Sequence, residues 1–340
     1  MSTALTQTLS TQFDSDNTLG IAPNSGVGNF FVAYTQSDND LKVVQMTGSG
    51  TNYSQTTLHA PNKGTWSPAL LNKGGQLYLF FRKNTSDSGG DEQLYYEVYS
   101  NGSWGNQTAP SGVRAKSDHN PVVVEYNGQI CLTDKDNQHH FISEAWMSSG
   151  GSWSSNDNIT YWDSDGDGKK DWGYQNSSHD KSNGGDKCQK EQILTSGQGN
   201  PCTPRNPSMV VFNGKIYMAY KGGRTSGDTT PKGMYIMTYG SSGWTDPVTL
   251  LSNETLFAPA LAVCGNKMFC IYSNHSHSDH LYASYTTDGS NWTSIGKISD
   301  DTLSNHKATD PFAMGLDGSN LAVSYVKHNG SAMLNLYQVS

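Results

Sequence analysis

The chain has 340 residues, of which 15% are charged against the ~25% of an ordinary soluble domain, and it carries 36 glycines, 18 tyrosines and 8 tryptophans. So much aromatic surface can bury a core, which excludes disorder. No apolar run approaches the ~18 residues of a membrane-spanning helix, a net charge of −8 speaks against a general nucleic-acid binder, and turn residues roughly every ten positions exclude helix bundles. These exclusions leave an all-β protein.

The N-terminus, Met1 to Gly20, is polar and lacks the apolar stretch of a signal peptide. An extracellular or secreted setting is expected even without a visible signal peptide, with a cytoplasmic one left open. From there on a hairpin plan repeats. SPALLNKGGQLYLFF, NPVVVEYNGQICLTD, NPSMVVFNGKIYMAY, APALAVCGNKMFCIY and DPFAMGLDGSNLAVSY each open on a proline, run as a short apolar strand, turn, and return as an apolar-aromatic strand. GIAPNSGVGNFFVAY is a sixth copy, with Ile21 at the proline's place. The openings at Ile21, Pro68, Pro121, Pro207, Pro259 and Pro311 lie about fifty residues apart, save for one longer interval of 86.

Each repeat continues into a third strand, such as LYYEVY or MYIMTY, and then into a fourth marked by Tyr53, Trp104, Trp153, Trp244 or Trp292. Six repeats of four antiparallel strands predict a six-bladed β-propeller over residues 1–340, in preference to a sandwich or β-helix. The last repeat ends after three strands, so Thr3 to Ser10 is expected to supply its fourth and close the ring.

These repeats resemble those of sialidase-type and lectin propellers over nearly the whole chain. SYTTDGSNW, Ser284 to Trp292, is similar to the sialidase Asp-box, with Thr287 at the Asp position and Asp288 one place later. In that family the Asp-box is a structural turn away from the binding face, so the resemblance implies a propeller rather than an activity.

In such a blade the turn before strand one and the turn after strand two share a face. The openings place Trp66, His119, Arg205, Phe257 and Asp310 there, and the second-to-third strand loops add Arg82, Asp134, Lys221 and Arg224. Arginine's planar donor fork suits carboxylate, sulfate or phosphate. Arg205-Asn206-Pro207 resembles the R-x-P element with which sialidases hold a sugar carboxylate. The six openings carry different residues, which favours one asymmetric site over six copied sugar sites. The recurring tryptophans read as inter-blade core.

The 86-residue interval carries an insert at 160–203, between blades three and four. Asp163, Asp165, Asp167 and Asp171, with the Lys169 carbonyl, fit D-x-D-x-D-G-x-x-D, a calcium loop supplying the oxygens a hard cation needs. Tyr174 stands where an EF-hand has its bidentate glutamate, so the loop is not an EF-hand. Cys188 and Cys202 could close a disulfide in this segment, whereas Cys131, Cys264 and Cys270 lie in strands. The expected partner is a glycan, with an anionic sugar among the candidates, and calcium is the expected cofactor. A sialidase-type glycoside hydrolase and a protein-interaction propeller are the alternatives, the first weakened by the lack of a recognisable catalytic pair.

Overall fold

The computed structural model describes residues 3–24, 29–59, 63–84, 92–110, 120–135, 142–154, 157–158, 205–222, 232–245, 247–274, 280–304 and 310–340. These residues form six antiparallel sheets arranged as the blades of a propeller. Blade one holds β2 (Gly20–Pro23), β3 (Phe30–Thr35), β4 (Leu41–Ser49) and β5 (Asn52–His59), and blade two holds β6 (Thr65–Lys73), β7 (Gln76–Asn84), β8 (Glu92–Ser100) and β9 (Ser103–Trp104). Blade three consists of β10 (Val122–Tyr126), β11 (Gln129–Lys135), β12 (Ile142–Met147) and β13 (Asp157–Asn158). In blade four, β14 (Ser208–Phe212), β15 (Lys215–Lys221) and β16 (Lys232–Gly240) are followed by two pieces, β17 (Gly243–Trp244) and β18 (Val248–Thr255), both paired to β16. Blade five has β19 (Ala260–Cys264), β20 (Lys267–Asn274), β21 (His280–Thr286) and β22 (Thr293–Lys297). Blade six has β23 (Phe312–Gly315), β24 (Asn320–Val326) and β25 (Ala332–Val339).

The sixth blade takes its outer strand from the other end of the chain. β1 (Leu5–Phe13) pairs antiparallel with β25, from Leu5 opposite Val339 to Phe13 opposite Ala332. The closing strand is the expected one, shifted a few residues toward the core. No helix among the described residues is long and apolar enough to cross a membrane.

Buried side chains fall into six clusters, each filled from two adjacent blades. Strand alternation explains the division. On β7, Leu77, Leu79 and Phe81 pack toward blade one, while Phe80, between them, packs toward blade three. On β20, Met268 and Cys270 face blade four and Phe269 and Ile271 face blade six. Cys264 and Cys270 therefore belong to different interfaces and cannot pair; both, like Cys131, are buried free thiols. Burial, with a smaller push from Asp317, raises the Cys264 thiol to about 11. Cys188 and Cys202 lie outside the described residues.

The recurring aromatics sit in these interfaces, as their recurrence implies. Trp104 packs with the cluster of blades one and two, Trp153 with that of blades two and three, Trp244 with three and four, and Trp292 with four and five. Polar ties reinforce the packing between blades five and six. There the Tyr325 hydroxyl donates to Asp301 Oδ2 at 2.5 Å, and Asn335 Nδ2 donates to the Tyr325 and Tyr337 hydroxyls. Burial, with Asp301 beside it, pushes the Tyr325 phenol up, so it remains a donor.

One register differs from expectation. Gly20 pairs with Ala33 as Ser208 pairs with Ala219, and each alanine precedes a tyrosine. Leu19, rather than Ile21, therefore holds the proline's place in blade one. The Leu19–Ala22 run has no proline to mark the opening, so sequence alone slips by two residues without changing faces. The insert at 160–203 and its aspartates lie outside the described residues.

Removal of residues 1–13 would expose the edge of β25 and open the hydrophobic cluster shared by blades six and one. The unfolding midpoint is expected to fall by more than about 5 °C; an unchanged midpoint would mean that β1 does not close the ring.

Candidate functional site

The first strands of all six blades meet around the propeller axis and line a channel of about 270 Å³. Its walls are mostly apolar, from Val122, Val210, Phe312 and their neighbours. Their approach is tight in places. A Cβ on Gly20 would lie 2.4 Å from the Pro68 carbonyl oxygen, and one on Gly315 would lie 1.7 Å from that of Val263. Only glycine lets those strands come so close.

At the mouth stands a collar built from the residue immediately before each opening: Thr18, Ser67, Asn120, Asn206, Ala258 and Asp310. Proline fixes its own φ and holds the preceding residue extended, which sets five of these six side chains at one level of the fold. Several are stitched across blades. The Ser67 N–H donates to Asn120 Oδ1 at 3.0 Å and the Ala258 N–H to Asp310 Oδ1 at 3.0 Å. The Thr18 hydroxyl donates to the Asp310 carbonyl at 2.8 Å, joining blades one and six.

The residues singled out from sequence separate into groups. Asp310 is 6% exposed and belongs to the collar. Arg205 brings Nε to 3.8 Å from Asp310 Oδ1 and its guanidinium carbon to 5.4 Å from the centre of the Phe257 ring. Its side chain is 12% exposed, so this arginine supports a carboxylate more than it reaches into solvent. Phe257 is fully buried and presents no face to a ligand; it forms the bed on which Arg205 lies.

Trp66 is half-buried next to the collar residue Ser67 but does not itself line the channel; it sits in a bulge of β6 where the pairing skips from Thr65 to Ala69. Its φ of 61° is left-handed, a costly conformation for a bulky residue. The Thr35 hydroxyl holds the Trp66 carbonyl at 2.8 Å. Strain maintained by such a contact is typical of sites where side-chain direction matters.

Arg82 and Lys221 are not loop residues. Arg82 lies within β7, two residues before its end, and Lys221 is the last residue of β15; both are wholly buried. Counted from the hairpin turn they occupy one register position, shared by Lys135 in β11 and Ser273 in β20. Neither lines the channel. Asp134 lies in β11 opposite Ser143. His119, Arg224 and the candidate calcium ligands Asp163, Asp165, Asp167, Lys169 and Asp171 fall outside the described residues.

The Asp-box-like turn lies at the end of blade five away from the collar. Asp288 accepts hydrogen bonds from the backbone and side chain of Asn291, the Ser290 N–H and the Thr286 hydroxyl, and these hold its carboxyl well below the usual range. It is a turn lock, in keeping with the structural role expected of it.

Sequence reasoning chose the residue two before the proline in most blades and so passed over Asn120 and Asn206. The available signal was the N-P dipeptide, which occurs at the opening of both blade three and blade four.

No protein-family model matches this sequence, and neither does any curated protein. Solved structures do resemble the fold. The fucose-specific lectin from Aleuria aurantia superposes with a TM-score of 0.60 at 12% identity, covering 97% of this chain and 96% of that one. AofleA from Arthrobotrys oligospora gives 0.58 at 12% identity over 99% and 87%. A lectin from Burkholderia pseudomallei gives 0.56 at 13% identity over 95% and 81%. At such identities the likeness establishes the propeller.

The coupling of Arg205 to Asp310 makes a measurable claim. Asp310→Ala removes the acceptor of the Ala258 N–H and the carboxylate beside a mostly buried guanidinium, and should cost on the order of 3 kcal/mol. Urea unfolding would report this as a lowered midpoint with an unchanged slope; a loss below about 0.5 kcal/mol would mean that the pair carries no weight in the collar.

Proposed function

We propose that the chain is a carbohydrate-binding protein of lectin type that takes its ligand at the collar end of the axial channel. The observation that carries this reading is the channel itself: a mostly apolar concavity with a few convergent polar groups at one mouth, which is the usual character of a small-ligand site. Next to the collar in sequence stands Trp66, an aromatic residue of the kind that packs against a sugar ring. The collar differs from blade to blade, which supports one site per chain over six equivalent ones. The likeness to fucose-specific lectins supports a sugar as ligand.

Hydrolysis is less well supported. Among the described residues, the carboxylates lining the channel are Asp310 at the collar and Glu125 near the far end of β10. Five residues of strand separate Glu125 from the collar level, roughly 16 Å at the usual rise. Glycosidase pairs work at separations of about 5 to 9.5 Å.

Calcium enters the proposal through the insert, where alternating aspartates from Asp163 to Asp171 supply suitable oxygen ligands. The insert leaves blade three and rejoins just before Arg205, so calcium there would shape a wall beside the collar.

A glycan array probed with the purified chain should give saccharide-dependent signal. Trp66→Ala should weaken it about tenfold, and chelation with EGTA should weaken it while the far-UV circular dichroism stays unchanged. Release of fluorophore from a sialoside would instead favour the hydrolase, and full binding after chelation would remove calcium from the site.

A further inference from the structure

The collar contains a pairing that two blades make and a third leaves unmade. In blades three and six, the side-chain oxygen of the residue before the proline takes the backbone N–H of the preceding collar residue, through Asn120 and Asp310. Asn206 occupies the same place in blade four, yet neither its Oδ1 nor its Nδ2 has a hydrogen-bond partner among the described residues, and the residue is 4% exposed. Native proteins rarely bury a whole amide unpaired, and each such group calls for an explanation, a functional role among them. The fold does not require the amide, since Ala258 fills the equivalent place in blade five.

The chemistry of the mouth narrows what could satisfy it. Among the described residues, the charged groups lining the channel are both acidic, Asp310 and Glu125. An anionic ligand would therefore meet carboxylates, with Arg205 already set against Asp310. A cationic ligand would suit Asp310 but would bring nothing for the Asn206 Nδ2 group to donate to. A hydroxyl does both, donating to a carboxylate or amide oxygen and accepting from an amide N–H. Asp310 Oδ2 accepts no hydrogen bond from a described residue, and the terminal torsion of asparagine is soft enough to turn its amide toward the channel.

We propose that Asn206 and Asp310, which flank Ala258 around the collar, form a clamp for neighbouring hydroxyls of a neutral sugar. Arg205 acts as a positioning residue that holds the carboxylate. The assignment rests on the carbohydrate-binding reading above and narrows it to uncharged glycans, against the anionic sugar that the arginines suggest from sequence.

The test combines an array carrying neutral, sialylated and sulfated glycans with thermal unfolding of the ligand-free chain, for wild type and Asn206→Ala. Wild type should retain neutral glycans and ignore acidic ones. Asn206→Ala should bind them at least tenfold more weakly, with an unfolding midpoint equal to or above that of wild type, because an unpaired buried amide has been removed. The proposal is overturned if acidic glycans dominate, if the variant binds as wild type does, or if its midpoint falls, which would show the amide to be paired in solution. Absence of any array signal from wild type would sink the carbohydrate reading along with it. Intact neutral-glycan binding by the variant would sink the clamp alone.

Discussion

The pairing of β1 with β25 is the constraint on which the rest of the molecule depends. A propeller blade has no core of its own; its apolar faces are buried only between neighbours, so a ring of blades is stable once the last meets the first. Here that meeting is made by the chain's own ends, with Phe13 entering the cluster that blades six and one share. Closure also fixes the axis. It brings the Thr18 hydroxyl onto the Asp310 carbonyl, and thereby sets the diameter of the collar in which Asp310, Arg205 and Asn206 stand.

Much of this architecture is legible in the sequence because every blade solves the same problem. Each needs a hairpin whose two faces are both apolar, so SPALLNKGGQLYLFF and NPSMVVFNGKIYMAY carry the same marks although their residues differ. The register of blade one is harder to read, since Leu19 replaces proline and the surrounding run is apolar throughout. The site is less legible still. Arg82 and Lys221 look like loop cations because each lies just before a polar, glycine-containing stretch, yet β7 and β15 extend through them and both are wholly buried. Asn206 looks unremarkable as a letter. Its meaning comes from a bond it does not make, and that depends on the exact approach of neighbouring first strands.

The collar also shows how a repeated fold acquires a single site. The hairpin, with proline in five of the blades, fixes six equivalent positions at the mouth, and these carry Thr, Ser, Asn, Ala or Asp. Thr18, Asn120 and Asp310 use the position for an inter-blade tie, Asn206 leaves an amide unpaired among the described residues, and the Asp310 carboxylate is also braced by a guanidinium that rests on Phe257. Divergence at six equivalent places produces directionality around the axis, which a small polyhydroxy ligand can read through the placement of its hydroxyls.

The central claim is that ligand is held once per chain, at the axis. Isothermal titration of the full chain with a soluble glycan chosen from the array measures this directly. The account predicts one site per chain, with binding lost in Asp310→Asn. Several equivalent sites per chain, or a single site indifferent to that substitution, would contradict it and move recognition away from the channel.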